Sequence, residues 1–383
     1  MHIVYVTPGF IDNMGPTTGL PKYLLRVSMA LIEYGHEVTI ITCSDRNVVY
    51  DFFGIHVRRV RRMNIISGEN EILSEIMRDA FIVHEEIVTL MKHTKIDIIQ
   101  YASLSGIAFL HDFKIPSVVR LSSYASMWPN DGKERQQCII AKMERAAAKK
   151  CNAIFGPSMV VANKFASDTG LEVEVIETPF LLETTQEVDD VYNSLFLNKE
   201  YILFYGTLVE YKGLGVIADS VYVILKENPH IHIGIIGSGN IHLVDEIIKR
   251  AEEYNNRVIY HEEISFSRLI PIIKNAQAVM LPSLMENFSN ACIEAMALGK
   301  IVIGTRGASF DQLIDEGISG FLCEIGDTAS LICAIKKVLS LDKKERHMMQ
   351  INAKKRIDLL KPEIVVKQLI DYYNSVIESY HGL

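Results

Sequence analysis

The stretch that decides the fold reads His2-Ile3-Val4-Tyr5-Val6-Thr7-Pro8-Gly9 and, further on, Gly35-His36-Glu37-Val38-Thr39-Ile40-Ile41-Thr42. The runs Ile3–Val6 and Val38–Thr42 are short, apolar and β-branched, and each is bounded by chain breakers, the pattern of buried strands. A breaker-rich loop from Thr7 to Gly19 separates the first from a helix-period segment. Leu20, Leu24, Val27, Met29, Leu31 and Ile32 supply its apolar face. Strand, loop, helix and strand in that order build a parallel sheet, because a crossover helix is what allows the second strand to run alongside the first.

The same alternation recurs outward from there. Ile96–Gln100, Ser117–Arg120 and Ala153–Gly156 read as strands, with helical stretches over Glu71–His93 and Glu134–Lys150. A polar segment from Glu183 to Asn198 reads as a linker. Alternation restarts at Tyr201–Tyr205 and continues through Ile231–Ile236, Val258–Tyr260, Ala278–Met280 and Ile301–Ile303, and a last helix runs from about Pro362 to His381. The expectation is an α/β chain of two Rossmann-like doubly wound domains facing a central cleft. The first spans residues 1–185 and the second 195–361, with residues 362–383 as a helix returning to the first domain. Ligands of such sheets bind at the carboxyl ends of the strands.

Composition narrows the classes. The chain has 383 residues, 49% apolar and 22% charged, with a net charge of −8, which is globular and neither disordered nor collagenous. Residues 1–180 carry 19 basic and 20 acidic side chains, so the acidity lies in the remainder. The basic excess of a general nucleic-acid binder is absent. No apolar stretch approaches the ~20 residues of a membrane span, and the N-terminus carries no basic region of a signal peptide. Cys43, Cys138, Cys151, Cys292, Cys323 and Cys333 are scattered without C-x-x-C, which reads as reduced thiols and an expected cytoplasmic location.

The most informative motif runs from Pro282 to Lys300: Pro-Ser-Leu-Met-Glu-Asn-Phe-Ser-Asn-Ala-Cys-Ile-Glu-Ala-Met-Ala-Leu-Gly-Lys. A strand ends at Pro282, Ser289 or Asn290 can cap a helix, and Gly299 stops it. Unpaired N–H groups around Phe288 to Asn290 then suit an anion such as a diphosphate. Taken alone, the two glutamates also fit a capped surface helix. Glu286 and Glu294 nevertheless stand in E-x7-E spacing, followed by Ala-Met-Ala-Leu-Gly-Lys-Ile-Val-Ile-Gly-Thr. Downstream lie Asp311–Gly317 and Gly320-Phe321-Leu322; upstream lie Gly-His-Glu-Val at 35–38 and Pro157-Ser158.

This set resembles the retaining GT-B glycosyltransferases of family four, the group 1 glycosyl transferases, over nearly the whole chain. The resemblance implies that Glu286 approaches the donor sugar's hydroxyls and Glu294 the nucleotide ribose. Asn287, Phe288, Ser289 and Asn290 would cradle the phosphates. Tyr205-Gly206-Thr207-Leu208-Val209-Glu210-Tyr211-Lys212-Gly213 matches the family's opening of the second domain, with Lys212 neutralising the diphosphate. Gly237-Ser238-Gly239 is similar to the G-x-G turn beneath the nucleotide. A dinucleotide fingerprint would need a further glycine where His242 stands, which argues against a dehydrogenase. His261 aligns with the loop that lines the base, and Gly19, after Thr17-Thr18, with the Gly-rich loop of the first domain.

The chain departs from the family at two places. Thr207 stands where relatives place a second cation, with Arg306 or Arg120 as candidates to compensate. Ser122 or Ser123, after Arg120, stands where many carry a histidine; serine holds no proton near neutral pH, so no side-chain general base is assigned. The resemblance implies a donor that is a nucleotide diphosphate sugar, UDP-sugars favoured, and a hydroxyl acceptor that is a carbohydrate, lipid-linked or small molecule. It implies no cofactor; with no Asp-x-Asp, it implies no metal. Two basic groups, Arg58–Arg62 and Lys133–Lys150, read either as solvated faces or as a peripheral contact with anionic lipid. A non-catalytic nucleotide-sugar-binding subunit and a sugar-nucleotide epimerase are the competing readings.

Overall fold

The computed structural model describes residues 1–10, 19–63, 71–129, 132–182 and 185–382. Thr17, Thr18 and part of the expected linker lie outside them. The chain divides into two compact units, Met1–Pro179 with Leu360–Leu383, and Phe180–Leu359.

Unit 1 is built on an eight-stranded sheet. Its strands are β1 (His2–Thr7), β2 (Glu37–Ser44), β3 (Val48–Phe52), β4 (Ile55–Arg61), β5 (Ile98–Ala102), β6 (Ser117–Arg120), β7 (Ala153–Gly156) and β8 (Glu174–Val175). The order is β3-β4-β2-β1-β5-β6-β7-β8. All neighbours are parallel except β3 and β4. Every residue of β1 and β5 is buried, as a strand covered on both faces requires. The antiparallel edge is a hairpin whose two turn residues, Phe53 and Gly54, both have positive φ, the turn whose twist matches paired strands. Helices α1 (Gly19–Glu33), α2 (Glu71–Met91), α3 (Glu134–Ala148) and α4 (Met159–Thr169) make the crossovers. Ser158 caps α4 and Gly170, at φ +72°, ends it. The terminal helix Pro362–Gly382 buries Val365, Val366, Leu369, Tyr373 and Val376 in the same core as α1 and β1. It belongs to unit 1 because those side chains complete that core.

Unit 2 begins with the short helix α5 (Asp190–Leu195), so the polar stretch read as a linker is helical there. Val191 and the fully buried Phe196 hold it down; the Phe196 ring lies 4.6 Å from that of Tyr201. The sheet consists of β9 (Glu200–Tyr205), β10 (Ile231–Ile236), β11 (Val258–His261), β12 (Ala278–Met280), β13 (Val302–Thr305) and β14 (Phe321–Cys323). They are all parallel, in the order β11-β10-β9-β12-β13-β14. The strand order reverses between β9 and β12, the place at which open α/β sheets bind their ligands. Helices α6 (Leu214–Glu227), α7 (His242–Arg250), α8 (Phe266–Asn275), α9 (Asn290–Ala297), α10 (Thr328–Ser340) and α11 (Lys343–Asp358) follow; Pro362–Gly382 is α12. Among the described residues no helix is long and apolar enough to cross a membrane. All six thiols are free.

Candidate functional site

The carboxyl edge of the unit 2 sheet is assembled from main chain first. The Gly206 amide donates to Ile236 O at 3.0 Å, Leu208 N to Ser238 O at 2.9 Å, Asn240 N to Leu208 O at 2.8 Å and Gly237 N to His261 O at 3.1 Å. The loops after β9, β10 and β11 are thereby laced together, which explains both glycines of Gly237-Ser238-Gly239. A Cβ on Gly237 would stand 1.9 Å from Gly206 O, and one on Gly239 would stand 2.6 Å from Leu208 O. They are there for close backbone approach.

A second lacing crosses the reversal point. Leu284 N donates to Tyr211 O at 2.8 Å, joining the loop after β12 to the turn Glu210–Lys212. Gly213, at φ +79°, presses against the Pro282 carbonyl, where a Cβ would sit 1.9 Å from the oxygen. These contacts bring the Lys212 ammonium onto the Glu286 carboxylate as a hydrogen-bonded ion pair. Glu286 is 7% exposed, and Ser283 Oγ donates to its Oε1 at 3.4 Å. Residues 74 positions apart thus form one charged centre at the end of the sheet.

Ser289 caps α9 by accepting from Cys292 N at 3.4 Å, and Gly299 closes the helix at φ +73°. Tyr205 at the end of β9 donates to Ala291 O at 2.6 Å, tying that strand to the first turn of α9. Burial first, then the nearby Glu294 carboxylate, push the Tyr205 phenol well above its ordinary pKa, so it stays a donor. Asn287 and Phe288 are half-buried, Asn290 and Thr207 exposed, and His261 Nδ1 lies 2.8 Å from Glu262 O. Arg306 is engaged elsewhere: its guanidinium reaches Glu324 at 3.0 Å and both Asp311 and Glu316 at 3.9 Å.

In unit 1, Gly19 opens α1. Arg120 is 4% exposed, lies 3.7 Å from the Tyr23 ring centroid and donates to Ser122 Oγ and Thr178 Oγ1, both at 2.9 Å. It makes no ion pair among the described residues, and burial lowers its pKa. Ser123 Oγ accepts from Trp128 Nε1 at 2.7 Å. Composition and motif reasoning missed what holds this loop. Buried Glu144 of α3 accepts from Ala125 N at 2.8 Å, and Gln137 donates to Ala125 O and Trp128 O. Arg145 donates to Tyr124 OH at 2.9 Å. Desolvation raises the Glu144 carboxyl to about 7. The available signal was a lone tryptophan in a polar loop before a charged helix.

Two family models match end to end along the chain. "Glycosyltransferase Family 4" covers residues 17–180 and "Glycosyl transferases group 1" covers 186–356. The chain belongs to this glycosyltransferase family. Within it, the chain is 26% identical over 221 residues to the capsular polysaccharide biosynthesis glycosyltransferase CapM of Staphylococcus aureus. That match covers 57% of this chain and 56% of CapM, so the chain spans about half the length of that relative. Sucrose-phosphate synthase from Thermosynechococcus elongatus is similar in fold, with a TM-score of 0.77 at 16% identity over 99% of both chains. Anabaena HepE, solved in complex with UDP and glucose, has a TM-score of 0.70 at 16% identity, covering 98% of this chain and all of that one. The fold is therefore GT-B, built of two Rossmann-like α/β units, with Glu286 and Glu294 on the second.

Proposed function

We propose that the protein transfers a hexosyl unit from a nucleotide diphosphate sugar, a UDP-sugar by preference, to a hydroxyl acceptor with retention at the anomeric carbon. The observation that carries the reading is the Lys212–Glu286 pair at the reversal point of the unit 2 sheet, beside the capped start of α9. An ammonium and a helix N-terminus at one place suit a departing diphosphate, and a carboxylate beside them suits vicinal sugar hydroxyls. Glu294, one turn into α9, is assigned to the ribose hydroxyls. The glycines at 206, 237 and 239 let backbone approach the nucleotide.

In the proposed step the bond from the anomeric carbon to the phosphate oxygen breaks, and its electron pair stays on the diphosphate. The acceptor oxygen bonds to the same face of that carbon, and its proton passes to the departing phosphate oxygen. No side-chain base is required, consistent with Ser122 and Ser123 where relatives carry histidine. Lys212 and the α9 amides supply the charge stabilisation in place of a metal, and no cofactor takes part. The similarity to CapM, named for capsular polysaccharide biosynthesis, supports a polysaccharide product.

Lys212→Ala and Glu286→Ala should each lower donor turnover by about two to three orders of magnitude, with unchanged circular dichroism. Near-normal turnover in both ends this assignment. Exposed Thr207, in place of a second cation, favours one alternative, a nucleotide-sugar-binding subunit without catalysis. Tight donor binding with no nucleotide release, with and without acceptors, would select it.

A further inference from the structure

Helix α9 carries the amides and the Glu294 side chain that the proposed reaction uses, and its own contacts fix its start weakly. It is eight residues long, and its cap, from Cys292 N to Ser289 Oγ, measures 3.4 Å, beyond the usual range of an N–H···O bond. The side chains it buries are Cys292, Ile293, Ala295 and Met296. Cysteine, alanine and methionine are small or soft, and fill space without fixing a direction. The directional contact comes from outside the helix. Tyr205, 5% exposed, donates from its hydroxyl to Ala291 O at 2.6 Å, and the Ala295 amide lies against the same hydroxyl. Ala291 O and Ala295 N are the two groups that an uninterrupted α-helix pairs with each other. A hydroxyl lodged at that pair governs the course of the first turn.

Tyr205 also ends the strand from which Gly206 and the turn Glu210–Lys212 continue. One hydroxyl therefore links the chain that brings the ammonium to the helix that presents the amides. Upstream, the loop after β12 is fixed separately, by Leu284 N on Tyr211 O and by Gly213 against the Pro282 carbonyl. Glu286 and the α9 cap lie between these two fixed points, and the downstream one is a side-chain contact that a single substitution removes. We infer that Tyr205 is a positioning residue for the transfer, setting the first turn of α9 so that its amides meet the diphosphate as charge develops there. This role rests on the transferase reading, whereas the hydroxyl's hold on α9 does not. Because the charge on the departing oxygen is greatest in the transition state, misplaced amides lower kcat more than they raise the donor KM.

Tyr205→Phe is the test and Tyr201→Phe the matched control. Tyr201 is likewise buried on β9 and donates to a helix carbonyl, Ile272 O, but α8, the helix it holds, carries none of the site. Losing one hydroxyl should lower Tm by about 2–6 °C in either variant. Nucleotide release from UDP-glucose and GDP-mannose gives kcat and KM, and calorimetry gives the affinity for UDP and GDP. In Tyr205→Phe, kcat should fall about ten- to hundredfold with the donor KM within about threefold. Affinity for the free nucleotide, which bears the charge of the departing group, should weaken about tenfold. Tyr201→Phe should keep wild-type kinetics. Wild-type kcat and nucleotide affinity in Tyr205→Phe overturn the inference, as do equal losses in the two variants, which would make the hydroxyl a stabiliser of the sheet alone. A wild-type chain that binds a nucleotide, more weakly in Tyr205→Phe, but never releases one from a donor sinks the transferase reading alone. A wild-type chain that binds neither nucleotide sinks both.

Discussion

Gly213→Ala tests the geometric argument at its tightest point. Gly213 ends the turn Glu210–Lys212 and begins α6, at φ +79°. An alanine there incurs about 1–2 kcal/mol for the left-handed conformation. Its Cβ would lie 1.9 Å from the Pro282 oxygen, and ordinary contact begins at 3.4 Å, so the two loops must separate by about 1.5 Å. Forcing buried backbone apart costs a further 1–3 kcal/mol, approximately. A total near 3 kcal/mol in a unit of roughly 180 residues corresponds to a Tm lowered by about 6–12 °C. The same shift carries Lys212 away from Glu286, and a displacement of this size costs about a hundredfold in turnover. Gly215→Ala is the control. It lies two residues on, inside α6, with nothing within 4 Å of its Cβ, and should be neutral or stabilising by about 0.5–1 kcal/mol. Scanning calorimetry gives the stability, and nucleotide release gives the turnover. A Gly213→Ala protein with wild-type Tm and turnover would refute the claim that this contact sets the site.

Two further outcomes follow from unit 1. Glu144, raised to about 7 by burial, favours the protonated folded state, so its contribution to stability is complete below the unfolded carboxyl range and is lost as pH rises through about 7. Glu144→Gln should therefore remove about 3 kcal/mol of pH dependence between roughly pH 4 and pH 8; urea unfolding that gives parallel profiles for both proteins would contradict this. Tyr373→Phe deletes the hydroxyl that donates to Gln100 Oε1 and lies 3.1 Å from Tyr5 OH, leaving both partners buried. It should cost about 1–3 kcal/mol in urea unfolding, and an unchanged midpoint would show that this network does not hold α12 in unit 1.

Much of the architecture was legible because each buried parallel strand must be apolar throughout and each crossover helix amphipathic. Ser117–Arg120, Ala153–Gly156, Ile231–Ile236 and Ala278–Met280 lie where periodicity predicts them. The antiparallel β3 was not legible, since Val48–Phe52 alternates weakly and turns at a phenylalanine with positive φ. Nor was α5, whose polar sequence looks like a linker until Phe196 is seen packed on Tyr201.

At the site, local spacing alone determined that Glu286 and Glu294 flank a capped helix start and that Lys212 follows a strand in a glycine-bounded turn. The fold decided which of these meet. Lys212 and Glu286 pair because Gly213 admits the Pro282 carbonyl, a contact between segments far apart in the chain. Arg120, by sequence a candidate for the second cation, is buried over Tyr23, and Arg306 is held by three carboxylates. Sequence fixes which groups each turn carries and the φ it tolerates; only packing across strands sets the distances between charges, and those distances determine whether a cation faces a ligand or a neighbour.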